Sequence, residues 1–199
     1  SHQAITDLAF VRAIPNMTVI TVADAVETKK AVFAIAEHQG PVYLRLSRAA
    51  APVFYPEDMK FEIGRGITVR EGGDVTIITT GTVLHKALAA AELLEAKGIR
   101  ARVVDMHTIK PIDEELIIEC ARETGAIVTV EEHSVCGGLG SAVAEVLAEH
   151  MPVPMTRIGA TDFAESGDYE QLLVKYGYGP ESIAEKCEKV MKRKQVQKK

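Results

Sequence analysis

Ile127-Val-Thr-Val-Glu-Glu-His-Ser-Val-Cys-Gly-Gly-Leu-Gly-Ser-Ala-Val-Ala-Glu-Val-Leu147 is the stretch whose reading decides the fold. The β-branched run Ile127–Val130 predicts a buried strand. Two acids and a histidine follow, then Gly137-Gly138-Leu139-Gly140, then an amphipathic helix from Ser141. Strand, glycine-rich turn and helix in that order make half of a βαβ unit. The turn could cradle an anion, because the first N–H groups of a helix have no partner within it. It is neither Gly-x-Gly-x-x-Gly nor a P-loop, since no Lys-Ser/Thr follows it. The other reading of these glycines is close packing of a helix end on a sheet, and composition favours it.

Working back toward the N-terminus, the alternation repeats. Val75–Thr80 predicts a strand, Val83–Lys97 an Ala/Leu-rich helix with Gly98 at its C-cap, and Arg100–Asp105 a strand. The next helix opens at Pro111 or is capped by Asp113, and ends at Gly125. Forward of the central stretch come a strand over Met155–Ile158, a short helix over Asp168–Tyr176, and a last helix from Pro180 or Glu181. Four strands alternating with helices predict an α/β domain with a mostly parallel sheet and helices on both faces. Phe61–Val69 should add one or two short strands, the sheet's antiparallel edge.

The first 48 residues form a second, smaller pattern. Residues 4–13 predict a helix that stops at Ile14-Pro15, because proline disfavours helix at the residue before it. Met17–Val22 predicts a strand. Asp24 is placed to cap the next helix, with Glu27 three residues on as in a capping box. Val42–Arg48 predicts a second strand. This is a βαβ unit with too few elements for a complete domain, so it predicts a partial α/β domain. The chain also starts at Ser1 and runs at once into an apolar-periodic segment, which adds to the expectation that it is part of something longer. The expected division is 1–55, a linker at 56–65 around Pro56, and 66–199.

Composition bounds the function. The chain has 199 residues, 47% of them hydrophobic and 26% charged, with a net charge of -5. That balance argues against a nucleic-acid surface. No apolar run approaches a membrane span. Three cysteines without metal or redox spacing fit a reducing cytoplasm. Glu131, Glu132 and His133 sit at a strand's carboxyl end, where ligands of open α/β sheets bind, or they merely cap and pair there. Adjacent residues of a strand face opposite ways, so Glu131 and Glu132 cannot both serve one site if the strand continues. Arg45 and Arg48 end another strand. A guanidinium there suits a phosphate or carboxylate, or it pairs with one of the many acids. The histidines at 38, 85, 107 and 150 read as structural or exposed.

Ser1-His2-Gln3, Asp7-Leu8-Ala9, Arg12–Met17, Gly40-Pro41 and Leu46-Ser47-Arg48 resemble the end of the pyrimidine-binding domain of transketolases. Thr79–Leu94, Thr108-Ile109-Lys110-Pro111-Ile112-Asp113, Val130–His133 with Gly137–Gly140, and Ser166-Gly167 with Glu170–Leu173 resemble the transketolase C-terminal domain. Part of this pattern is shared with deoxyxylulose-phosphate synthase and with beta subunits of 2-oxo-acid dehydrogenases. The resemblance implies a share in ketol transfer between sugar phosphates, with thiamine diphosphate and a divalent metal, Mg, in the complete enzyme. By resemblance, His2 is the catalytic histidine near the donor hydroxyls, and Arg48 grips the sugar phosphate. The family's Gly-Asp-Gly…Asn stretch, which holds diphosphate and metal, does not occur here. The resemblance therefore implies that this chain binds no cofactor, is inactive alone, and needs an N-terminal transketolase subunit in a homodimer or heterotetramer. A non-catalytic association module is the remaining alternative.

Overall fold

The computed structural model describes residues 4–196. In chain order the elements are α1 (Asp7–Ala13), β1 (Thr18–Thr21), α2 (Ala25–Glu37), β2 (Val42–Arg45), β3 (Ile67–Arg70), β4 (Val75–Thr79), α3 (Leu84–Glu95), β5 (Ala101–Asp105), β6 (Thr108–Lys110), α4 (Glu114–Thr124), β7 (Ile127–Ser134), α5 (Leu139–His150), β8 (Met155–Ala160), α6 (Tyr169–Lys175) and α7 (Pro180–Val196). None of the described helices is long and apolar enough to cross a membrane.

The main sheet has the order β3-β5-β4-β7-β8. Four of its strands run parallel, and β3 is the antiparallel edge. The alternation along each strand sorts its side chains between two cores. On one face Val75, Ile77, Val128 and Val130 pack under α3 and α7. On the other, Ile78, Val104 and Ile127 pack under α4 and α5. Helices therefore cover both faces, as the βαβ pattern requires. Each large aliphatic side chain buried in this way contributes on the order of 1.5–3 kcal/mol.

The caps follow the sequence rules. Asp24 accepts the Glu27 N–H at 2.8 Å, and Asp113 accepts the Leu116 N–H at 3.1 Å. Gly125 takes φ 64 to close α4. Glu27 departs from a true capping box: its carboxyl reaches the N–H of Ala23, one residue before the cap.

Several boundaries differ from the sequence pattern. The expected strand 42–48 ends at Arg45, and Arg48 lies in a bend beyond it. Only Ile67–Arg70 of the 61–69 region is a strand. β7 runs on to Ser134, because its polar end is held by backbone bonds, with Ser134 N–H donating to Ile5 O at 2.7 Å. α5 starts at Leu139, two residues before the expected Ser141.

Thr108–Lys110 forms an unanticipated strand. It leaves the main sheet's neighbourhood and pairs antiparallel with β1, giving a second sheet of order β2-β1-β6. Three residues are too short for a periodicity signal, so only the partner strand reveals it. The first segment is thus attached by shared backbone hydrogen bonds. α1 adds Leu8 and Val11 to the α4–α5 core.

Candidate functional site

A cleft of about 800 Å³ lies at the carboxyl ends of the parallel strands of both sheets. One wall comes from α1 and the end of β2, the other from the turns after β4 and β7 and from α6. Two sheets thus direct the same edge at one space, the edge where open α/β sheets bind ligands.

The first wall is built around Asp7, which is 4% exposed. Its Oδ2 accepts from the Tyr43 hydroxyl at 2.8 Å and from Arg45 Nε at 2.9 Å. Arg45 also donates through Nη2 to the Ala4 carbonyl at 2.9 Å. Arg45 is therefore spent on internal contacts, as the salt-bridge reading expected. Arg48 is different. It lines the cleft and is exposed. Among the described residues no acid lies in ion-pair range of it, so its donor fork is open to a ligand. His2 lies outside the described residues.

The opposite wall holds Glu132. Its Oε2 accepts from the Tyr169 hydroxyl at 2.9 Å and from Thr82 Oγ1 at 3.4 Å. Burial, and then the neighbouring carboxylate, push the Tyr169 phenol up to about 12, so it stays a donor. Thr82 and Tyr169 were not legible as site residues, because nothing in their local sequence marks them as partners of Glu132.

Glu131 faces the other way, as strand alternation demands. Its carboxyl accepts the N–H of Leu139 at 2.7 Å and of Gly140 at 2.8 Å. The anion position at the head of α5 is therefore filled from within the chain. A Cβ at Gly138 would stand 2.0 Å from Glu131 Oε2 and 2.7 Å from His133 Nδ1. Glycine is needed there to admit the carboxyl. Burial raises Glu131 to about 7 against the pull of its two N–H donors. His133 is buried behind it, with Nδ1 against the Ser134 carbonyl at 2.8 Å, which assigns the ring proton to Nδ1. Burial lowers its pKa, so the ring is neutral, and Nε2 sits 4.0 Å from Asp7 Oδ1.

These residues do not fit a diphosphate and its metal. The one glycine-rich helix start is occupied by Glu131. Among the described residues no group of three His, Cys, Asp or Glu side chains is arranged to hold a metal ion. Cys120 and Cys187 are buried, and Cys136 is exposed.

Residues 64–183 match the family of the transketolase C-terminal domain, and residues 1–53 match the transketolase pyrimidine binding domain. The chain belongs to the transketolase family. It is 44% identical over 195 residues to the 6-deoxy-6-sulfo-D-fructose transketolase subunit of Clostridium sp., covering 98% of this chain and 61% of that protein. It is 46% identical over 197 residues to the putative transketolase C-terminal section of Methanocaldococcus jannaschii, covering 97% of this chain and 61% of that one. A solved structure described as a split gene transketolase, inactive beta4 tetramer, superposes with a TM-score of 0.93 at 51% identity, covering 96% of this chain and 63% of the other. The transketolase chain described here thus spans about three fifths of these relatives. The family is generally thiamine-diphosphate-dependent.

Proposed function

We propose that this chain is part of the C-terminal subunit of a split transketolase, which moves a two-carbon ketol unit between sugars carrying an anionic terminus. One observation carries the reading: Arg48 lines the cleft with no acid in ion-pair range among the described residues, while Arg45, three residues away, is neutralised by Asp7. A planar fork of donors at the carboxyl edge of a sheet is suited to a phosphate or sulfonate. The relatives' names, one a sulfosugar transketolase subunit and another an apulose-4-phosphate transketolase subunit, support an anionic sugar over one specific pentose. Glu132, Thr82 and Tyr169 on the opposite wall offer acceptors and donors for substrate hydroxyls. His2, by family resemblance, holds or shuttles a hydroxyl proton.

In this reading residues 1–55 close a pyrimidine-binding domain, 56–65 are a linker and 66–199 form the C-terminal domain. Thiamine diphosphate and Mg are held by an N-terminal partner subunit, in a cytoplasmic homodimer or heterotetramer. The cofactor supplies the carbanion chemistry, and this chain's residues position and neutralise the substrate.

The test restores the subunit to full length, mixes it with its N-terminal partner, and assays ketol transfer from xylulose 5-phosphate and from a 6-sulfosugar donor. Transfer that needs both subunits and weakens in Arg48→Ala supports the reading. Full activity of Arg48→Ala on every anionic donor overturns Arg48 as the anchor, and absence of ketol transfer by the assembled subunits overturns the transketolase reading in favour of a 2-oxo-acid dehydrogenase-like enzyme. Calorimetry of the isolated chain with cofactor and Mg should give no heat of binding; micromolar affinity would overturn the division of labour.

A further inference from the structure

Glu27 on α2 and Asp105 at the end of β5 are both fully buried, and each acts directly on the other's protonation. Each has one oxygen satisfied: Ala23 N–H donates to Glu27 Oε2, and the Tyr55 hydroxyl donates to Asp105 Oδ2 at 2.8 Å. The other oxygens, Glu27 Oε1 and Asp105 Oδ1, have no donor. Two interacting buried carboxyls, each with an oxygen that lacks a donor, repel unless a proton is shared between them.

The surroundings supply no alternative. Asp24 is the nearest other acid. Its two oxygens already take N–H bonds from Glu27 at 2.8 Å, Phe54 at 2.7 Å and Tyr55 at 2.8 Å. Tyr55 already donates its only proton. His107, two residues beyond Asp105, is pushed down to about 4 by burial and is neutral. No cation faces the pair among the described residues.

We propose that Glu27 and Asp105 share one proton and so form a proton-dependent joint between the first segment and the main α/β unit. The placement makes it a joint. Glu27 belongs to the βαβ segment, Asp105 to the main sheet, and Tyr55 to the connector. The β1–β6 pairing that attaches the segment lies alongside, with Thr21 N–H donating to His107 O at 2.8 Å. Burial and the neighbouring negative charge raise both carboxyls. In the unfolded chain both ionise in the ordinary carboxylate range. Folding at neutral pH therefore takes up a proton. Attachment is strongest at mildly acid pH, and it is lost as pH rises through the pair's raised range, by about tenfold in equilibrium constant per pH unit.

The test is hydrogen exchange of the intact chain at a series of pH values, corrected for the intrinsic base catalysis of exchange. Protection of the β1 and β6 amides should fall with rising pH by about tenfold per unit, while β4 amides hold. In Glu27→Gln the amide keeps its carbonyl toward Ala23 and donates an N–H to Asp105, so the pH dependence should disappear with the segment still attached. Asp105→Asn should do the same with the roles reversed, which guards against one variant failing to fold. A difference infrared spectrum at neutral pH should show a buried protonated carboxyl that vanishes in Glu27→Gln. The proposal is overturned if both variants keep the wild-type pH dependence, if no protonated carboxyl band is seen, or if β1 and β4 lose protection in parallel.

Discussion

The head of α5 and the end of β2 are two anion-attracting places at the carboxyl edges of parallel strands, and they have opposite fates. At the first, backbone N–H groups are aimed at an anion, and the chain provides it in Glu131. At the second, a guanidinium is aimed at the cleft, and no described residue answers it. An anion-attracting place becomes a binding site only where its donors are left over. The loop with the stronger motif is architecture, and the plain arginine is the one proposed as the binding site.

The largest effect should come from closing the room that Glu131 needs. Gly138→Ala puts a methyl where the carboxyl sits, displacing an acceptor of two backbone bonds at about 1.5–3 kcal/mol each. Urea denaturation should show a loss of about 3–5 kcal/mol, and a neutral result would break the architectural reading. Arg48→Ala should leave the denaturation midpoint within about 0.5 kcal/mol of the wild type. In the reconstituted enzyme it should raise KM for an anionic sugar by about tenfold to a hundredfold, the equivalent of one charged hydrogen bond. Glu131→Gln should cost about 1–3 kcal/mol, because its amide turns a donor toward one of the two N–H groups. The sign of its pH dependence follows from burial. The folded pKa, pushed up by burial to about 7, lies above the ordinary glutamate 4.5. Glu131's contribution is thus full below pH 4.5 and is lost as pH rises through 7, by up to about 1.4 kcal/mol per unit. The gap between wild type and Glu131→Gln should narrow over that range and be flat above it. Tyr169→Phe should cost least, about 0.5–1.5 kcal/mol for the one hydrogen bond it gives Glu132, read from the urea midpoint.

Most of the fold was legible because its signals are local. The β-branched runs, Asp24 and Asp113 as caps, Gly125 as a stop, and the alternation that separates Glu131 from Glu132 all lie within a few residues of what they govern. The open site was legible only in part. Arg45 and Arg48 are alike in sequence, and which of them is spent depends on Asp7, 38 positions from Arg45. Tyr169 reaches Glu132 across 37 positions. The β6 strand has no periodicity to read and exists because β1 is there to pair with it.

The amino-acid sequence by itself therefore determined the elements, their parallel alternation and the family pattern, since each follows from backbone propensity, capping and a spacing of two or 3.6 residues. Only the tertiary structure decided which charges are satisfied. That is settled by distances between side chains remote in sequence. It is why the glycine-rich turn closes on its own glutamate, why Glu27 and Asp105 face each other across the joint, and why Arg48 is left open.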